Sequence, residues 1–120
     1  MDRNRWVGYP SAFIYDPFAN ACFLAGKYDR PIPSMELAAK RLPDSLYVLE
    51  SLAVAYSLSG RKEEAKQIVE KLCNIFPWTI EVLDFYIELL PFKNQTEKDR
   101  LKALRLEAGV ICDISGPNTK

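Results

Sequence analysis

The feature that most restricts this chain is an interval. Gly26 and Gly60 lie 34 residues apart, and so do Pro43 and Pro77. Gly26-Lys27-Tyr28-Asp29 precedes Ala38-Ala39 and Pro43 in the same way that Gly60-Arg61-Lys62-Glu63 precedes Leu72-Cys73 and Pro77. A fixed period marked by residues that end helices describes one copied supersecondary unit. Such a unit cannot hide its apolar face alone and must lean on the next.

The second copy is the cleanest. Leu49, Leu52 and Tyr56 recur at i, i+3 and i+7, one face of a helix. Ala53 is small where a partner helix would cross closely. Asp44 or Ser45 supplies the N-cap, and Gly60 ends the helix where a left-handed residue costs least. Lys62-Glu63-Glu64 then opens a second helix with the inner stripe Ala65, Val69, Leu72 and Cys73, and Pro77 stops it. In the first copy, about 12–45, Tyr15, Phe18, Ala19, Cys22 and Gly26 fill the slots of Leu49, Leu52, Ala53, Tyr56 and Gly60. Pro31 falls where the second copy has Ala65, and Pro33 follows. A proline disfavours helix at the residue before it, so the helix is expected to begin at Pro33 or Ser34, with Ile32 outside, and to run to about Leu42. In the third copy, about 80–109, Thr79 is the expected N-cap. Leu83, Tyr86, Ile87 and Leu90 continue the pattern up to Pro91. Thr96 and Asp99 then read as a capping-box variant opening a last helix with Leu101, Leu104 and Ala108 on one side, ended by Gly109. Residues 1–11 form an N-terminal extension and 110–120 a flexible tail.

The second copy resembles the tetratricopeptide family. That family's pattern of Trp, Leu, Gly, Tyr, Ala, Phe and Pro is matched in spacing by Leu49, Leu52, Ala53, Tyr56, Ala65, Val69 and Pro77, and 34 residues is its period. Leu90-Pro91-Phe92-Lys93-Asn94, Arg100 and Leu104-Arg105-Leu106-Glu107-Ala108-Gly109, with Gly60 to Ala65, are similar to the tetratricopeptide segments attached to bacterial class III adenylate/guanylate cyclase-like proteins. The fold expected is all-α: a tetratricopeptide-like α-α superhelix of two to three antiparallel helix pairs with a C-terminal capping helix over 12–109.

Composition narrows the function. The 120 residues carry 16 Lys plus Arg against 16 Asp plus Glu, a formal net charge of zero. A nucleic-acid binder needs a basic excess to displace phosphate counterions. No uncharged stretch approaches the ~20 residues of a membrane span. The expectation is a cytoplasmic protein without nucleic-acid or membrane partners. Cys22, Cys73 and Cys112 are far apart and odd in number, without a CxxC pair; reduced, packed thiols are expected rather than a disulfide or zinc site. No histidine is present, which removes the commonest general base and metal ligand. No phosphate-binding Gly-rich loop, GxSxG or HExxH run occurs. Glu63, Glu64, Glu97 and Asp99 sit at helix starts, where negative charge suits the dipole. No catalytic residue, cofactor or metal is expected.

The tetratricopeptide likeness implies that the first helix of each pair lines a concave face, exposing positions two, five and nine of each copy. These are Phe13, Asp16 and Asn20; Tyr47, Glu50 and Val54; and Glu81, Asp84 and Glu88. An acidic face of this kind repels a peptide carboxylate and suits a basic or amphipathic helix. The expected role is a non-catalytic protein–protein interaction module or scaffold, with self-association as a further contact. The alternative is a regulatory appendage of a nucleotide cyclase signalling system. The mixed charges Lys98, Arg100, Lys102 and Arg105 beside Glu97, Asp99 and Glu107 read as a solvated face of the last helix.

Overall fold

The computed structural model describes residues 17–92 and 94–112. Among the described residues six helices follow one another: α1 (Pro17–Leu24), α2 (Ile32–Arg41), α3 (Leu46–Leu58), α4 (Lys62–Ile75), α5 (Ile80–Leu89) and α6 (Gln95–Ala108). No strand occurs among the described residues, and the fold is all-α. Phe13 and Asp16, with the whole N-terminal extension and the tail beyond residue 112, lie outside them.

Local chemistry sets most helix ends. Ser45 caps α3, its Oγ accepting from the Val48 N–H at 3.3 Å, and Thr79 Oγ1 accepts from the Val82 N–H at 3.3 Å at the start of α5. α3 stops in a paired closure around Gly60, which has φ 88°. The Arg61 N–H reaches the Tyr56 carbonyl at 2.8 Å and the Gly60 N–H reaches that of Ser57 at 3.1 Å, satisfying carbonyls a helix end otherwise orphans. Gly109, with φ 78°, closes α6 in the same manner.

Two boundaries differ from expectation. Ile32 is the first residue of α2, not a residue outside it. Pro31 stands at the N-cap and Pro33 in the first turn, where no N–H has an intrahelical partner to lose. Burial of Ile32 and Met35 outweighs the pre-proline bias. At α6 the cap is Asn94 rather than Thr96: its Oδ1 accepts from the N–H groups of Thr96 at 2.8 Å and Glu97 at 3.3 Å. Asp99 instead accepts from Gln95 Nε2, one turn earlier.

The core is organised around α3. Every residue from Tyr47 to Ser57 is buried, because α3 packs against α4, α2, α6 and α1. Thirteen residues with one charge, Glu50, have no polar side to offer water, and a helix apolar all round is a central helix. α4 gives α3 the expected stripe, with Ala65 and Leu72 buried and Val69 and Cys73 partly so.

α6 takes an unforeseen place. Instead of only closing the end of the stack, it packs against α1, α3 and α5 together, the first helices of the three copies. Leu101, Leu104 and Arg105 are buried along it. The chain continues inward past Gly109: Val110 and Cys112, expected in a flexible tail, are buried.

Cys73 and Cys112 form a disulfide with Cα atoms 5.7 Å apart, against the expectation of three reduced thiols. They are 39 residues apart, so their approach is set by the return of the chain along α6, which sequence spacing does not show. Next to the bond the Cys112 N–H donates to the Trp78 carbonyl at 2.8 Å, and the Trp78 N–H donates to Cys112 Sγ at 3.1 Å.

Candidate functional site: an acidic groove filled by a basic helix

The residues expected on an exposed concave face divide into two sets. Asn20, Tyr47, Glu50 and Val54 are buried, so they do not form a solvent-facing surface. The reason is α6, which lies over the helices that carry them. Glu81, Asp84 and Glu88, on α5, are exposed.

Three acidic members of this face, Glu50, Asp84 and Glu88, meet basic members of α6. Arg105 Nε donates to Glu50 Oε2 and Arg105 Nη2 to Glu50 Oε1, the second at 3.3 Å. Arg105 Nη2 also donates to Asn20 Oδ1 at 2.8 Å, and Nη1 to the Leu101 carbonyl at 3.3 Å. One turn back, Lys102 pairs with Asp84. A further turn back, Lys98 Nζ lies 3.8 Å from Glu88 Oε1 and donates to the Glu88 carbonyl at 3.0 Å. Lys98, Lys102 and Arg105 stand at i, i+4 and i+7, a single stripe of α6.

The three pairs are energetically unequal. Both side chains of the Arg105–Glu50 pair have no exposure to water. Isolated, either charge would carry a desolvation cost of several kcal/mol. Here four hydrogen bonds and two rings compensate the guanidinium: its Cζ lies 5.7 Å from the Phe23 ring centroid and 5.6 Å from that of Tyr86. Burial works to lower the Arg105 pKa, but the charge and hydrogen bond of Glu50 outweigh it, and the net shift is upward. The Asp84 and Glu88 pairs lie nearer solvent, where such contacts contribute at most about 1 kcal/mol each. Asn20 keeps an unused group, since its buried Nδ2 has no hydrogen-bond partner among the described residues.

The C-terminal end of α6 is fixed by Ser57, whose Oγ donates to the Ala108 carbonyl at 2.8 Å and accepts from Lys62 Nζ at 3.2 Å. Part of the run from Leu104 to Gly109 is therefore occupied in packing, while Leu106 and Glu107 are exposed. Leu104 is core, Arg105 is the buried cation and Gly109 is the cap.

Arg105, Lys102 and Lys98 read from the sequence as a solvated face. Two signals pointed elsewhere: the lone charge in α3, which needs a counter-charge wherever α3 is enclosed, and the i, i+4, i+7 spacing of the cations. Trp78 is buried and meets Tyr86 edge-on at 5.5 Å.

Elsewhere on the surface, α2 and α3 border a shallow cleft of about 430 Å³ that includes Glu36, Leu37, Leu52 and Tyr56. Its Tyr56 hydroxyl donates to Glu36 Oε2 at 2.5 Å. Among the described residues no group of three or more His, Cys, Asp or Glu side chains could hold a metal ion, and no helix is long and apolar enough to cross a membrane. No protein-family model, curated protein or solved structure matches the chain.

Proposed function

We propose that the chain is a non-catalytic protein-interaction module built from tetratricopeptide-like helix pairs, and that its groove selects a basic amphipathic helix. The observation that carries this reading is the match between two lines of side chains. Asn20, Glu50, Asp84 and Glu88 come from α1, α3 and α5, and a single helix answers them with Arg105, Lys102 and Lys98. The leucines Leu101 and Leu104 of that helix fill the space between. This is helix-in-groove recognition, in which apolar anchors supply area and charges fix register.

The reading also identifies the wrong ligand. A peptide ending in a free carboxylate would meet Glu50, Asp84 and Glu88 and be repelled. Two 15-residue helical peptides with one leucine pattern test the proposal. One carries Arg or Lys at the three positions that match Lys98, Lys102 and Arg105, and the other carries Glu there. Titrated in the presence of reductant against the labelled chain, the basic peptide binds and the acidic one does not. Equal affinity for both, or for neither, refutes the selectivity.

A further inference from the structure

α6 is held at both ends. The backbone from Leu90 to Asn94 joins its start to α5, and beyond its end Cys112 is bonded to Cys73 of α4. Helix and disulfide thus close a covalent loop across the groove. The contacts between these anchors are non-covalent, and another helix could make each of them. With the loop closed, α6 cannot swing aside while α4 and α5 stay folded. With the disulfide open, the covalent connection to α5 is the anchor that remains.

We infer that the Cys73–Cys112 bond is a redox latch: once it is reduced, the groove exchanges α6 for an arginine-bearing amphipathic helix of another protein. The inference rests on the helix-binding reading above and adds its control and the chemistry of its ligand. Cys73 is the less buried partner of the two, and the attack is assigned to Cys73 Sγ. A thiolate of a dithiol attacks it and expels the Cys112 thiolate. The second thiol of the reductant then resolves the mixed disulfide. Two electrons and two protons pass from the dithiol to the cysteines, and the reductant leaves as its own disulfide.

The vacated groove specifies its next occupant. Glu50 would be left as a carboxylate in apolar surroundings, which is costly until a cation returns. Arginine fits better than lysine, because both Glu50 oxygens and Asn20 Oδ1 accept from one planar group between the Phe23 and Tyr86 rings. The unused Asn20 Nδ2 offers a donor that α6 leaves unanswered. Cations three and seven residues before the arginine would meet Asp84 and Glu88, as Lys102 and Lys98 do.

The test uses the full chain and a fluorescent peptide with the sequence of residues 95–109, followed by anisotropy. Three protein samples are compared: oxidised, reduced with dithiothreitol, and Cys112→Ser without reductant. The reduced and Cys112→Ser samples should bind at least tenfold more tightly than the oxidised one. An Arg105→Gln peptide should lose at least tenfold. Circular dichroism must show helix retained on reduction; general loss of helix overturns the latch. Equal peptide affinity in all three samples overturns the latch and leaves helix binding standing. Binding in none of them overturns both. A reduced sample that becomes a dimer on size exclusion and excludes the peptide identifies a second copy as the occupant and overturns the choice of partner.

Discussion

Arg105 and Glu50 are separated by 55 residues of sequence and meet with both side chains fully withdrawn from water. The contact ties the last helix to the central one. It also converts two residues that ought to be surface features into one interior feature. Removing one partner strands the other. Glu50→Gln leaves a guanidinium without its counter-charge, and Arg105→Ala leaves a bare carboxylate; each should cost about 3–5 kcal/mol in urea unfolding. Glu50→Leu combined with Arg105→Met removes both charges at similar volume and should recover most of that loss. A double variant no more stable than its singles would contradict the assignment of the pair as the source of the cost.

The disulfide closes a span of 39 residues, for which the chain-entropy account gives roughly 4 kcal/mol of stabilisation. Thermal unfolding of the wild type should shift down markedly with dithiothreitol. Cys112→Ser should unfold near the reduced wild type and ignore the reductant. Indifference of the wild type to reductant would mean that the bond does not form in solution.

Burial, then the hydrogen bond to Glu36, raises the Tyr56 pKa to about 12 from its ordinary value of 10.0. Because the folded state holds this proton more tightly than the unfolded chain, the contribution is complete below about pH 10. It is lost as pH rises through about 12. Stability should therefore fall across that alkaline window, and Tyr56→Phe should flatten this component of the profile. Spectroscopic titration of tyrosinate gives a direct check, since Tyr56 should ionise later than an exposed tyrosine.

Gly60 adopts φ +88° with nothing within 4 Å of where a Cβ would stand. The penalty for Gly60→Ala is therefore backbone strain without steric conflict, about 1 kcal/mol by denaturant melts. Gly60→Asn should cost less, since asparagine tolerates the left-handed region better.

How far the residues themselves announced this structure depends on the range of the contact. The α3–α4 pair was plain because its signals are local: the cap at Ser45, the glycine at 60, and the stripe Ala65, Val69 and Leu72. The acids Glu50, Asp84 and Glu88 were legible as a line as well. Hidden was the identity of the helix that fills it. Repeat logic treats each helix by its neighbours in the period. α6 departs from that logic by packing on α1 and α3 as well as on α5, and Asn20 and Arg105 are 85 residues apart. The disulfide was illegible for the same reason, because Cys73 and Cys112 become neighbours only after that helix is in place. Ile32 was misread more simply: a steric bias of one dihedral pair was weighed without the burial that overrides it.

The remote seating of α6 has a temporal meaning during synthesis. Glu50 leaves the ribosome 55 residues ahead of Arg105, an interval of roughly 3–11 s at ~5–20 residues per second. Within it α3 can find α2 and then, once Ile75 has followed, α4, yet its carboxylate has no cation of α6 to meet. The nascent protein is thus an open clasp before it is a closed one.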